Sequence, residues 1–272
     1  MDRATRRVRC LGVAAHPDDL ECMALEPILR GARAPHAGFA GLVLTSGAGC
    51  ARVGIYTDLP DRKMAQVRRS EQRQAASLGR YALQIQLGYP SKTVLSPRAQ
   101  WPVDDLEAWL RLLKPREVFT HDLADRHPTH VAVALRLVQA LRRLPRGLRP
   151  KRLVGCEVWR SLDWMDGAGK VRMAVRDPQG LGNKLLSAFS SQLADRPYDL
   201  ACEGRRRANA VFSTGAARRP TALSLGMDLT PLILDDHLSP LDLFRRYAGS
   251  FQTGVEDRLA QVSSTTKRGG KA

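Results

Sequence analysis

The stretch Leu11-Gly12-Val13-Ala14-Ala15-His16-Pro17-Asp18-Asp19 decides how this chain is read. A short apolar run ends abruptly in an imidazole and two adjacent carboxylates. Apolar runs of this length form buried strands of parallel sheets, where both faces are covered. In open α/β sheets, ligands bind beyond the carboxyl ends of such strands. Ionised carboxylates lose their hydration there unless they are paired or bind a metal. His16, Asp18 and Asp19 are therefore expected at a site of chemistry.

A second cluster, His121-Asp122-Leu123-Ala124-Asp125-Arg126-His127-Pro128-Thr129-His130, follows another apolar segment, Val118-Phe119-Thr120. Four of the chain's 6 histidines lie in these two stretches. Working outward, residues 8–15, 40–44, 85–88, 118–120, 153–159 and 222–228 read as strands. Residues 20–30, 62–79, 103–113, 131–144, 181–192 and 198–210 read as helices, and 241–262 as a final helix with breaks near Gly249 and Gly254. Asp18 and Asp19 fall in the first turn of the first helix, where the helix dipole favours negative charge. Capping accounts for one of them at most, and not for His16. Thr45-Ser46-Gly47 is a small loop that lets backbone approach a ligand. Arg68 and Glu71, three apart on one helix, read as a surface pair. The segment from Trp159 to Trp164 lines a pocket or simply packs.

The bulk properties narrow the class. The chain has 272 residues and 43% hydrophobic content, enough for one large α/β domain. No run reaches the roughly 20 apolar residues of a membrane span. Residues 1–8 run straight into the first strand with no apolar signal region, so a cytoplasmic location is expected. The 5 cysteines are scattered, odd in number and without a CxxC pair. They argue against a disulfide framework or a structural zinc site and read as buried thiols. The net charge of +16 is spread along the chain, without interleaved aromatics or a nucleic-acid-binding motif. A solvated arginine-rich surface is expected, with no nucleic-acid and no membrane partner.

Catalytic zinc or iron(II) sites take three protein ligands and leave a position open. His16, Asp19 and His130 supply two imidazoles and a carboxylate. Asp18 beside them suits a general base toward water. His127, one turn from His130, suits oxyanion stabilisation or proton donation to a leaving amine. Such a site hydrolyses a carbonyl compound, most simply an amide.

At these residues the chain resembles a known family. Ala15-His16-Pro17-Asp18-Asp19 is similar to the AHPDD signature of the PIG-L, or LmbE-like, zinc-dependent N-deacetylases. That family includes N-acetylglucosaminyl-phosphatidylinositol deacetylase and the mycothiol and bacillithiol pathway deacetylases. His127-Pro128-Thr129-His130 resembles its HPDH motif, Thr45-Ser46-Gly47 its T-x-G loop, and Arg68-x-x-Glu71 with Leu78-Gly79 its R-x-x-E…LG helix. Residues 184–192, 204–212 and 227–232 resemble one bacterial subgroup.

The resemblance implies a Rossmann-like α/β fold, a mostly parallel sheet flanked by helices in a single domain. With no internal repeat and no clear linker, that domain is expected to span 1–262, and the polar composition of 263–272 reads as a flexible tail. It implies metal binding by His16, Asp19 and His130, with Zn2+ the default and Fe2+ the alternative. Asp18 is then the base, His127 the electrophilic or acid residue, and Arg68 a contact to the sugar. The implied substrate is an N-acetylglucosamine-type small molecule. A different amide at the same metal site is the alternative, and a basic nucleic-acid-binding protein the weaker one. Three departures stand out. Thr129 replaces the usual Asp between the two histidines, with Asp125 as its substitute behind the metal ligands. The glycines that often follow AHPDD are replaced by residues 21–25. No Tyr immediately precedes the His pair.

Overall fold

The computed structural model describes residues 8–34, 37–213 and 220–268. In chain order the elements are β1 (Val8–Ala14), α1 (Asp19–Met23), α2 (Leu25–Arg33), β2 (Gly38–Thr45), α3 (Asp61–Leu78) and β3 (Leu83–Tyr89). Next come α4 (Ser91–Leu95), α5 (Trp101–Leu113), β4 (Glu117–His121), α6 (Pro128–Arg143), β5 (Arg152–Cys156) and β6 (Lys170–Ala174). The chain closes with α7 (Leu181–Leu186), α8 (Ser190–Leu193), α9 (Tyr198–Phe212), β7 (Leu223–Asp228), α10 (Pro231–Leu234) and α11 (Pro240–Arg268).

The strands form one 7-stranded sheet in the order β3-β2-β1-β4-β5-β7-β6. The pairings from β3 through β5 are parallel. β7 runs antiparallel to both β5 and β6. The fold is the expected Rossmann-like, mostly parallel sheet. β2 is buried along its whole length and β1 is buried at every position but Arg9, as central parallel strands must be when helices cover both faces. Leu11 and Val13 face a core shared with Val103, Leu106, Val133 and Leu137 of α5 and α6. Cys10 and Ala14 face the opposite core, with Leu20, Ile28, Phe39 and Phe189. Leu137 is 0% exposed. Truncating such a residue to Ala costs about 2–5 kcal/mol.

Several elements depart from expectation. The first helix is two helices, broken at Ala24 with φ −113° and ψ 27°. Pro27 explains the break: in one continuous helix its ring would clash with the carbonyl of Met23, and its missing N–H would leave that carbonyl unpaired. The helix expected over 181–192 splits at Phe189, which leaves helical geometry at φ −100° and ψ 58° and is 1% exposed. β5 stops at Cys156, so Glu157 to Trp159 turn off the sheet. The edge strand β6 has no counterpart among the expected strands. Lys170 and Arg172 hide it as strand pattern, and such charges are what keeps an edge from pairing with another chain. α11 passes Gly249 and Gly254 without a break and reaches into the segment expected as a tail. Of that segment, residues 269–272 lie outside the described residues.

The arginines do not all form a solvated surface. Arg68, Arg136 and Arg206 are buried. Arg142 donates to the carbonyls of Leu232, Asp235 and Leu238. No helix among the described residues is long and apolar enough to cross a membrane.

Candidate metal centre and active-site cleft

β1 and β4 are neighbours in the sheet, while the chain leaves β1 toward β2 on its other side. This reversal opens a crevice at the carboxyl ends of the two strands. His16 follows β1, His121 ends β4, and His127 and His130 start α6. Sequence distance of more than a hundred residues thus collapses to a few ångströms.

His16 Nδ1 lies 3.2 Å from Asp19 Oδ2 and 3.2 Å from His130 Nε2. His130 Nε2 lies 3.3 Å from Asp19 Oδ2. The three atoms form a nearly equilateral triangle. Donor atoms bound at zinc distances in a tetrahedron stand about 3.3 Å apart, so this is the face of a metal polyhedron. The chemistry agrees. Asp125 Oδ2 lies 3.3 Å from His130 Nδ1, at ion-pair distance though outside hydrogen-bond alignment. That carboxylate favours the proton on Nδ1 and leaves Nε2 as a lone pair. Lone pairs and a carboxylate converging at this range repel unless a cation or proton lies between them. Burial would raise the Asp19 carboxyl, but His130, His121 and His16 outweigh it and hold it far below the usual range. His130 shows the converse: burial lowers it, and Asp19 and Asp125 raise it by more.

Asp18 stands at the head of α1 but makes no capping bond. Its backbone is left-handed, with φ 92°, a strained conformation for a residue with a side chain. The strain turns its carboxylate to Arg68 Nη2, 3.3 Å away. Arg68 also donates to the Pro17 carbonyl. Burial pushes the Asp18 carboxyl up to about 6, with Arg68 opposing. A base of that strength suits proton transfer near neutral pH. Arg68 is 1% exposed, and Glu71 lies 3.7 Å from its Nη1. Glu71 accepts from Ser191 N at 2.8 Å and from Ser191 Oγ at 2.7 Å. The pair expected on the surface is thus internal, and it ties the site to α8. Gly47 lies over this group at φ +67°, where a Cβ would meet Arg68 Nε and Pro17 Cδ, each at 3.0 Å.

His127 caps α6: its Nδ1 accepts from Thr129 N at 3.3 Å. That assigns the proton to Nε2. Burial, then His130 and His16, keep the ring below its ordinary value. His127 is therefore a neutral donor rather than a standing imidazolium. Asp125 accepts from His127 N at 2.8 Å and from Trp159 N at 3.1 Å.

His121 had no role assigned from sequence. It is fully buried, and its Nε2 accepts from Ala15 N at 2.9 Å. It lies 3.5 Å from Asp19 Oδ2 and stacks on His130 with centroids 3.9 Å apart. It locks β1 to β4 directly beneath the candidate metal ligands. Its recognition partner is a main-chain amide on another strand, which leaves no sequence signal.

These groups open into a cleft of about 790 Å3. One wall is His16, Asp18, Asp19, Arg68 and His127; the other is Trp159, Arg196, Tyr198 and Arg205. Trp159 and Tyr198 meet edge to face at 5.8 Å, and Arg196 lies over the Trp159 ring at 5.9 Å. Cys22, Cys50 and Cys202 line the cleft, so the thiols are not uniformly buried.

Residues 11–141 match the family model described as PIG-L: GlcNAc-PI de-N-acetylase. The match covers 131 of the chain's 272 residues, and over this segment the chain is similar to the PIG-L family. Among curated proteins none matches it in sequence. Solved structures share the fold. The conserved protein TT1542 from Thermus thermophilus is 22% identical with TM-score 0.60, over 80% of this chain and 93% of that one. The N,N'-diacetylchitobiose deacetylase from Pyrococcus horikoshii is 17% identical with TM-score 0.64, over 84% of this chain and 86% of that one. The 4-carboxy-2-hydroxymuconate hydratase from Pseudomonas putida is 14% identical with TM-score 0.59, over 82% of this chain and 96% of that one. One fold thus carries deacetylases and a hydratase, so the reaction has to be argued from the site and the family.

Proposed function

We infer that this protein is a metal-dependent N-deacetylase of the PIG-L type acting on an N-acetylated sugar or small sugar conjugate. The observation that carries the reading is the triangle of His16 Nδ1, Asp19 Oδ2 and His130 Nε2 with the Asp18 carboxylate beside it. The family description and the deacetylase among the structural neighbours support it.

His16, Asp19 and His130 would hold the metal, Zn2+ by default and Fe2+ as the alternative for this donor set. When bound, it supplies Lewis acidity toward the acyl oxygen and makes water a stronger acid. Asp18, deprotonated above about pH 6, takes the proton from the attacking water. Arg68 holds that carboxylate in place and, lining the cleft, is the proposed contact to the sugar. His127 donates its Nε2–H to the acyl oxygen as negative charge develops there. Protonated Asp18 returns its proton to the departing nitrogen, and acetate and a free amine leave. Asp125 fixes the His130 ring throughout. Trp159 and Tyr198 offer aromatic faces to the rest of the substrate.

The test is acetate release from N-acetylglucosamine, N,N'-diacetylchitobiose and other N-acetylglucosaminides, with metal-stripped and zinc- or iron(II)-reloaded protein. Metal-dependent release from at least one sugar is expected. One tight metal per chain with no acetate from any sugar would keep the site and reject the substrate class.

A further inference from the structure

Behind the catalytic cleft lies a second cavity of about 570 Å3, lined in part by Leu25, Val175, Arg206, Arg207 and Ala210. α9 separates the two. Tyr198, Ala201, Cys202 and Arg205 face the cleft. Glu203, Arg206, Arg207 and Ala210, at the three- and four-residue spacing of one helix face, line the second cavity.

Arg206 is 5% exposed. Among the described residues its Nη1 has no hydrogen-bond partner and the residue enters no ion pair. The acids of the cavity are already engaged. Asp177 accepts from Leu181 N at 2.8 Å and from Gly182 N at 2.7 Å. Glu203 pairs with Arg207 and accepts from Asn183 Nδ2 at 3.1 Å. A guanidinium is always charged, and a buried charge without a partner is among the costliest features a fold can hold. An anion entering the cavity would supply that partner. Arg206 and Arg207 are balanced in formal charge by Asp177 and Glu203, so the cavity suits a monoanion on the free Arg206 Nη1 better than a phosphate dianion. The remaining surface includes Leu25, Val175, Ala210 and Val211, which suits an aliphatic body.

We propose that this cavity binds a small aliphatic carboxylic acid, its carboxylate on Arg206 and its chain against Leu25, Val175 and Ala210. The site is independent of the deacetylase reading, because none of these residues touches the metal ligands' cleft.

Butyrate, hexanoate and inorganic phosphate are titrated by calorimetry into the full chain, the Arg206→Met variant and the Arg206→Lys variant, in carboxylate-free buffer. Hexanoate is expected to bind saturably and more tightly than butyrate, and phosphate at least tenfold more weakly. Arg206→Met should weaken hexanoate at least tenfold and, with the unpaired charge gone, unfold at a higher temperature than the parent without ligand. Arg206→Lys keeps the charge but loses the planar fork that matches a carboxylate, and should weaken hexanoate severalfold. It decides the matter if the Met variant does not fold. No saturable hexanoate binding to the parent, or unchanged binding in the variants, overturns the proposal. Phosphate binding as tightly as hexanoate overturns the assignment to an aliphatic acid.

Discussion

The two walls of the cleft are built differently. The wall that carries the candidate chemistry comes from β1, β4, the helices that follow them and α3, and its groups are fixed by short contacts to one another. The facing wall, from Trp159 through Arg205, comes from beyond the segment that matches the family. Its side chains meet through an aromatic edge and a cation over a ring, contacts that tolerate substitution. Under the proposed function the difference separates two jobs: the first wall would set the reaction and the second which molecule reaches it. Asp125 joins them, since it faces His130 on one side and accepts the Trp159 amide on the other.

The comparison breaks most visibly at Asp18. Asp18→Asn keeps the shape but cannot take a proton, so kcat should fall about 10²–10⁴-fold while metal content stays unchanged. Steady-state kinetics beside metal analysis checks this.

Glu21, buried behind the first wall, gives a pH-dependent contrast. It is 0% exposed, with Gln72 Nε2 at 2.9 Å and Tyr81 OH at 2.7 Å donating to one oxygen. Burial pushes its carboxyl up to about 7, those hydrogen bonds opposing. The fold therefore holds a proton that the unfolded chain releases above its ordinary value of about 4.5. Stability should fall as pH rises from about 4.5 to about 7 and stay level above that, at a cost of at most about 3 kcal/mol. Glu21→Gln removes this dependence. Its advantage over the parent in Tm should grow across that window and then level off.

Asp125→Asn tests the joint. Removing the charge behind His130 should weaken metal binding about 10–100-fold, read by competition with a chelator. Trp159→Ala should act last and least. If the second wall only selects substrate, KM should rise by no more than about tenfold, the worth of one aromatic face, with kcat nearly unchanged. An equal loss in kcat would put Trp159 in the chemistry and erase the division.

How much of this was legible in the sequence follows the same divide. His16, Asp18, Asp19, His127 and His130 could be read because each follows a buried apolar run, and the ends of such strands meet in one crevice. His121 could not, because what it holds is the amide of Ala15. Arg68 and Glu71 looked like a surface pair because helical spacing says nothing about what packs on that face; Asp18 and Ser191 do. The edge strand β6 was invisible because Lys170 and Arg172 give five residues the composition of a loop. Trp159 was visible as a residue, but its place opposite His127 depends on β5 ending at Cys156.

The most direct test of the account is metal content and acetate release, measured together on the parent, Asp18→Asn and His130→Ala. The account predicts one metal per chain and turnover in the parent, metal without turnover in Asp18→Asn, and neither in His130→Ala. A His130→Ala protein that keeps both its metal and its activity would contradict it.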